Sequence, residues 1–479
     1  MVRSSKMLLS AEFIAEATGG DLIKGRAIAT GAGASIDTRT IKKGQVFFAI
    51  KGERHDGHDF VVEAVNKGAV GLVVAKDRAL EIQQQIQSDE VFIVSVADTT
   101  RALVACARAW VEVLEPIVVA ITGSVGKSTT KEMTASALAQ QYKVCATQGN
   151  QNNIYGLSLT CLSLLPEHEV LVCEMGMNHF GEIRELCSIC RPRFGAVLCV
   201  APVHLEGVGS LEGVALAKRE LIEALPADGT AFLNADDPRV MAMQSVAKGD
   251  IVKVGWSSDA DVRILESAIT IDGLTRVRML IKGEEKLAYL NLLGKHHAIN
   301  AGFAYAIARR LNVPDEKALS AIQECPPLKH RMNLIKVHGI KVLDDSYNAS
   351  PKSMEAALEV LCEVGKASRK VAVLGDMLEL GAFERQAHLE LGTLCAQKHV
   401  DILVAVGANA GIVAEGAKRA GMPSSNIFVT PDAYGAAELL AALVKDGDVI
   451  LLKGSRKVGL DSVASLFLDM TKAESQEGR

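Results

Sequence analysis

Aromatic side chains make up only 4% of the 479 residues, and that scarcity removes one class of function at once. Proteins that hold single-stranded nucleic acid stack its bases on rows of aromatic rings, and there is no material for such rows here. Charge gives a polyanionic partner no help either: 52 Lys and Arg stand against 57 Asp and Glu, a formal net charge of −5. Neither nucleic acid nor an acidic membrane surface is therefore expected as a partner. No apolar run is long enough to span a bilayer, so membrane insertion is not expected. The opening segment MVRSSKMLLSAEFIAEATGG has no long apolar core and no small-residue cleavage site, and does not read as a signal peptide. The ten cysteines form no paired CxxC sets. Cys187 and Cys190 stand alone in CSIC without a flanking histidine, which argues against zinc and for reduced thiols in a cytoplasmic protein. Internal repeats and low-complexity tracts are missing as well.

What is present is the balance of a soluble globular chain, 49% hydrophobic and 23% charged. Its length exceeds what one core ordinarily organises. Short continuous apolar runs punctuate it in the manner of buried parallel strands: GQVFFAI, GLVVA and VFIVSV in the first hundred residues, then IVVAIT, VLVCEMG and AVLCV. HDFVVEAVNKGA reads as a helix ending at Gly68, and a second helix runs from about Thr99 to Glu115, where Pro116 stops it. Residues 251 to 295 change character to alternating β segments such as TRVRMLI. From Lys329 onward IKVLDDSY, KVAVLGDM, DILVAVG, NIFVT and DVILLKGS alternate with helical stretches, the rhythm of a doubly wound sheet. The closing residues TKAESQEGR are polar and expected to fray. The expected class is α/β in three domains. Residues 1–98 form a small N-terminal α/β domain, 99–328 a central, mostly parallel P-loop-type ATPase domain, and 329–479 a C-terminal Rossmann-like doubly wound domain.

The strongest motif is AITGSVGKSTT, residues 120 to 130, set between an expected strand and an expected helix. Gly123 and Gly126 let backbone N–H groups approach phosphate oxygens, aided by the positive end of the helix dipole. Ser124 and Thr129 flank the loop's functional pair: Lys127 offsets charge on the β- and γ-phosphates, and the Ser128 hydroxyl suits Mg2+. Ile121 stands where the common P-loop has its first glycine, so the form is a shortened T-G-x-x-G-K-S. Glu174 ends the strand EVLVCE and is placed either to hold Mg2+ or to be a solvated strand-end carboxylate. His204 follows AVLCV in a Gly-rich loop, where it suits metal or phosphate work or is an ordinary polar surface group. Lys218, in EGVALAKREL, reads on its own as a solvated lysine on a helix.

Seven further segments occur in a fixed order with that loop. They are IDTRTIKKGQVFFAIKGERHDGHDF (36 to 60), GNQNNIYGLSLT (149 to 160), EMGMNHFGEI (174 to 183), LGKHHAIN (293 to 300), DDSYNASPKSM (344 to 354), LGDMLELG (374 to 381) and LLKGSR (451 to 456). Together they resemble the Mur ligase family over essentially the whole chain. The resemblance is to its branch that takes D-alanyl-D-alanine as acceptor, because no diamino-acid signature of the Asp-Asn-Pro-Arg type is found.

The resemblance implies an ATP-dependent amide-bond ligase that works through an acyl phosphate on UDP-N-acetylmuramoyl-tripeptide, and it implies a monomer. Lys127 and Ser128 would contact ATP and Mg2+, while Glu174, His204 and Lys218 would serve a second Mg2+, Lys218 as a carbamate. Carbamylation asks for an amine kept partly neutral by burial. Lys127, His204 and Lys218 would carry the chemistry, His204 as a general base. Asn300 would meet adenine, and Arg331 and Asp345 would reach the nucleotide from the third domain. Asn150, Asn152 and Asn153 would touch the muramyl peptide, or else form turns. Thr38, Arg39, Gly57 and His58 would meet the UDP end, and Tyr347, Asn348 and Ser350 would complete the substrate contacts. His297 stands where the family commonly has asparagine.

Overall fold

The computed structural model describes residues 9–25, 33–203, 205–337, 339–463 and 465–466. The fraying expected of TKAESQEGR, and everything expected of His204, fall outside the described residues.

Three sheets account for the described strands. The first holds β1 (Asp21–Lys24), β2 (Ala34–Ser35), β3 (Val46–Phe48), β4 (Gly71–Ala75) and β5 (Phe92–Val96) in the order 1-5-4-3-2. Its pairs are parallel except at the β1 edge. The second holds β6 (Ile117–Thr122), β7 (Val144–Ala146), β8 (Val170–Glu174), β9 (Phe194–Val197), β10 (Thr230–Asn234), β11 (Asp250–Gly255), β12 (Val262–Ile269), β13 (Thr275–Ile281) and β14 (Glu284–Leu290). Their order is 14-13-12-11-10-9-6-8-7, parallel from β7 to β12 and antiparallel beyond. The third holds β15 (Asn333–Val337), β16 (Ile340–Asp344), β17 (Lys370–Gly375), β18 (Ile402–Val406), β19 (Ile427–Thr430) and β20 (Val449–Lys453) in the order 15-16-20-17-18-19. Only β15, at its edge, runs antiparallel.

Most of the apolar runs named from the sequence became inner strands of these sheets, covered on both faces, as β6 and β8 illustrate, whereas NIFVT became the half-buried edge strand β19. The short edge strands β1, β2 and β7 carry too few apolar residues to announce themselves. The segment expected to be helical from His58 begins instead as a 3-10 turn, Gly57–Phe60, before the helix Val61–Asn66.

The helix Thr99–Leu114 joins the first two sheets. Its buried positions, 99, 102, 103, 106, 107, 110, 111 and 114, follow helical spacing and line one stripe. That stripe sits in a single apolar cluster shared by strands of the first sheet and strands of the second. Trp110 anchors it, with its ring edge-on to Phe13 at 5.3 Å and its indole N–H donating to the Leu164 carbonyl at 3.0 Å. Among the described residues no helix is long and apolar enough to cross a membrane.

What matters for chemistry is where strands end. The carboxyl ends of β6, β8 and β9 open into one crevice of the second sheet, and those of β16, β17 and β20 into a crevice of the third. Such strand ends, beside a change of strand order, are where open α/β sheets bind ligands.

Candidate active site

The turn after β6 delivers the phosphate loop. Gly126 takes φ 85°, and a Cβ there would lie 2.7 Å from Asn300 Oδ1, so only glycine fits both the conformation and the close approach. The helix Lys127–Leu138 starts at once, aiming its first N–H groups into the crevice. Ser124 braces the loop: its hydroxyl donates to the Ala201 carbonyl at 3.1 Å and accepts from the Ala201 N–H at 2.8 Å. Lys127 bends back to the Gly123 carbonyl at 2.8 Å. Burial lowers its ammonium below the usual lysine range, Glu174 opposes that shift, and Arg331 adds to it. Thr129 is buried on the first turn of the helix.

Glu174, at the end of β8, is 3% exposed, so it is not the solvated strand-end carboxylate that its position also allowed. Its Oε1 accepts from Asn152 Nδ2 at 2.8 Å, while Oε2 is buried with no partner among the described residues. A buried carboxylate oxygen without a donor is costly unless something else meets it, and a hard divalent cation is the natural occupant. Ser128, 8% exposed on the first turn of the helix that follows the loop, offers a second oxygen. The oxygen-rich donor set fits Mg2+.

Lys218 corrects the sequence reading. It is 1% exposed rather than solvated, because Val214, Ala217 and Leu221 form the buried stripe of its helix and Lys218 lies within that stripe. That spacing was present in the sequence and is the signal that could have found it. No hydrogen-bond partner for its amine occurs among the described residues. Burial, reinforced by Lys127, lowers its pKa to about 7.

The third sheet contributes from across the crevice. An Arg331 guanidinium nitrogen donates to the Ser128 hydroxyl at 3.2 Å, and the same guanidinium lies 4.1 Å above the Tyr347 ring. Arg456 approaches that ring at 5.2 Å. Asp345 faces Lys453, whose buried ammonium also donates to the Asn348 carbonyl at 3.0 Å, and Asp345 takes the Met332 N–H at 3.1 Å. Lys453 and Arg456 were not singled out as site residues, although they sit in the LLKGSR segment. Ser350 caps the helix Pro351–Val364 in a capping box with Ser353. Asn300 is buried behind the phosphate loop, accepting from the Thr130 hydroxyl at 3.2 Å and standing 3.2 Å from His297 Nδ1. The His297 Nε2 is buried without a partner among the described residues.

Lys131, 1% exposed, was also missed. Its ammonium donates to the Thr147 carbonyl at 2.7 Å, and the Thr147 hydroxyl accepts the Glu174 N–H at 3.0 Å, so a buried lysine supports the strand end that presents Glu174.

Other expected substrate residues lie apart or face inward. Asn153 caps the helix Ile154–Leu162 through the Gly156 N–H at 3.0 Å, and Asn150 is exposed in the preceding turn. Thr38 is buried, while Arg39 is exposed and forks onto Asp37. His58 is 4% exposed, with Nδ1 at 2.5 Å from Asp56 and Nε2 accepting the Ala75 N–H at 2.9 Å. At Gly57 a Cβ would meet the Ile50 nitrogen at 2.7 Å. Gly57 and His58 therefore shape their loop from within.

Comparison with known proteins extends this geometry. A family model described as Mur ligase middle domain matches residues 121–308. The model for the Mur ligase, glutamate ligase domain matches 330–456, and that for the Mur ligase family, catalytic domain matches 30–115. A UDP-N-acetylmuramoyl-tripeptide–D-alanyl-D-alanine ligase of Bacillus subtilis is 32% identical over 438 residues, covering 91% of this chain and 93% of that protein. The Escherichia coli protein of the same name is 34% identical over 438 residues, with 90% and 92% covered. Among solved structures, MurF from Acinetobacter baumannii superposes with a TM-score of 0.85 at 29% identity over 97% of this chain and 100% of that one. MurF from Thermotoga maritima in complex with ADP gives 0.78 at 27% identity, over 93% and 99%.

Proposed function

The chain belongs to the Mur ligase family, and from that premise we propose that it joins D-alanyl-D-alanine to UDP-N-acetylmuramoyl-tripeptide. It is an ATP-dependent, ADP-forming ligase of peptidoglycan synthesis. The structural observation that carries the reading is the meeting of Arg331 with Ser128, which brings a cation from the third sheet onto the phosphate loop. A ligase needs that: the carboxylate must be activated on one domain and kept from water until the acceptor, held by another, attacks.

The chemical problem is that a carboxylate is a poor electrophile. Its oxygen attacks the γ-phosphorus of ATP in line, the bond to the β-phosphate oxygen breaks, and ADP leaves an acyl phosphate. Lys127, Arg331 and the loop's N–H groups offset the charge that spreads over the transferred group. The neutral amine of the dipeptide then attacks the acyl carbon, phosphate departs, and one proton is lost to a base, the role we assign to His204. Asn300 lies on the adenine side of the nucleotide, and Asp345 orders the third-domain side through Lys453.

Ser128 and Glu174 Oε2 would hold Mg2+, two ions being the family's pattern, and the metal would supply charge stabilisation for phosphoryl transfer. Lys218 would add a further oxygen ligand as a carbamate. With a pKa of about 7, much of its amine is neutral near neutral pH. The neutral amine can add to CO2 with loss of one proton, which turns a buried cation into an anion. Residues 1–98 would take the UDP end, 99–328 ATP, and 329–479 the dipeptide.

The test is ADP release with Mg-ATP, the tripeptide nucleotide and D-alanyl-D-alanine, each omitted in turn. Release that requires both the tripeptide and the dipeptide is the expected result. Release with a free diamino acid and the dipeptide nucleotide instead would move the chain to another branch of the family, and release indifferent to every acceptor would overturn the ligase reading.

A further inference from the structure

Arg331 is fixed twice, at its backbone and at its guanidinium. The backbone on either side of it is left-handed: His330 takes φ 59° and Met332 φ 54°, in a region where non-glycine residues are uncommon. Such backbone persists only where its surroundings hold it, and each flank is pinned. His330 Nδ1 lies 2.7 Å from the carboxylate of Asp344, a residue 3% exposed whose other oxygen accepts the Ser346 N–H at 3.2 Å. The His330 carbonyl accepts the Tyr347 N–H at 3.1 Å, and Asp345 takes the Met332 N–H at 3.1 Å. The end of β16 and the turn after it therefore set where the Arg331 side chain departs.

The same turn supplies the second support. The Arg331 guanidinium lies 4.1 Å above the Tyr347 ring while one of its nitrogens donates to the Ser128 hydroxyl at 3.2 Å. Arg456, which opens the 3-10 turn after β20, lies over that ring at 5.2 Å. Among the described residues neither guanidinium has a carboxylate partner, and the Tyr347 hydroxyl makes no hydrogen bond. Two like charges gathered at one place repel, and no acid pairs with either. What meets them is the negative face of an aromatic ring, which attracts a guanidinium and fixes its plane.

We infer that Tyr347 is a positioning residue: its ring is a cation–π shelf that sets the Arg331 guanidinium against Ser128 and holds Arg456 beside it. The ring is the working part, and the phenol hydroxyl is not. A tyrosine that touched substrate directly, as the family resemblance implied, would depend on that hydroxyl instead. The effect on turnover rests on the ligase reading, in which Arg331 offsets charge on the transferred phosphoryl group; the stacking itself does not.

The experiment compares Tyr347→Phe with Tyr347→Leu in the full chain, each alone and in an Arg331→Ala background. Tyr347 is only half-buried, so neither variant opens a core. Arginine-labelled NMR spectra read the stacking, the Arg331 signal being assigned by its loss in Arg331→Lys. The ring shields the guanidinium, so its resonance should stay in place in the phenylalanine variant and move towards that of a free arginine in the leucine variant. Steady-state kinetics read the consequence. Expected is a kcat within about threefold of the parent for phenylalanine and at least about tenfold lower for leucine, with the KM for D-alanyl-D-alanine within about twofold in both. In the Arg331→Ala background the leucine change should lower kcat by less than about twofold, because Tyr347 acts through Arg331. An Arg331 resonance that stays in place in the leucine variant would overturn the shelf. A phenylalanine variant as slow as the leucine one, or a full leucine effect without Arg331, would overturn the positioning role. Should the parent fail to release ADP with both substrates, the ligase reading falls, and the NMR shift still decides the shelf.

Discussion

Lys218 shows how one buried side chain can trade stability for chemistry. Its ordinary ammonium pKa of 10.5 falls to about 7 in the fold, chiefly through burial. The unfolded chain therefore holds that proton over a window, from about 7 to 10.5, in which the native state has released it. Stability must rise with pH through that window, and the full cost of burying the charge is felt below pH 7. In CO2-free buffer Lys218→Met should melt at a higher temperature than the parent at pH 6, the gap narrowing as pH rises from 7 towards 10, while its ligase activity is lost. A melting difference independent of pH would show that the amine is not buried as a cation. The parent should lose activity on removal of CO2 and regain it with bicarbonate. Without that dependence the carbamate proposal fails. A solvated reading of Lys218 followed from residue type alone, whereas its place between Val214 and Leu221 on the apolar stripe pointed inward.

At the scale of elements, the helix Thr99–Leu114 was legible almost to the residue, since its stripe, its cap and the following proline are local features. Asp98 caps it, accepting from the N–H groups of Thr100 and Arg101 at 2.8 and 2.9 Å. Asp98→Ala should cost about 1 kcal/mol in a denaturant titration, and Asp98→Asn, itself a good cap, should stay near the parent. An alanine variant as stable as the parent would mean the helix is held by its apolar stripe alone. The strands of the parallel cores were equally legible, because residues covered on both faces leave continuous apolar runs. Edge strands such as β7 and β15 were not, since an edge is defined by a neighbour distant in sequence and not by a local pattern. The same applies to Glu174: a strand-end carboxylate is recognisable, but its burial depends on Asn152 and Thr147, which approach from other elements.

At the scale of the whole molecule, segments of the third domain meet the central one: an Arg331 guanidinium nitrogen donates to the Ser128 hydroxyl, and the Leu205 N–H donates to the Glu379 carbonyl. Contacts of this kind close only when the domain that carries them is in place. Small-angle scattering should therefore show a smaller radius of gyration when Mg-ATP and the tripeptide nucleotide are added together, and Arg331→Ala should weaken that compaction. No change on adding both would count against closure as part of the reaction.

The chain's residues dictate, through local pattern, which segments become strands and helices, where the phosphate loop lies and to which family the ordered motifs point. Those are properties of neighbours in sequence: periodicity, capping, and glycine where φ must be positive. Only the tertiary structure decides that Lys131 is buried, that Glu174 keeps one carboxylate oxygen without a partner among the described residues, that His58 faces inward, and that Asp345 engages Lys453. Burial and ion pairing are set by groups many residues apart brought within a few ångströms, and no local pattern encodes those distances.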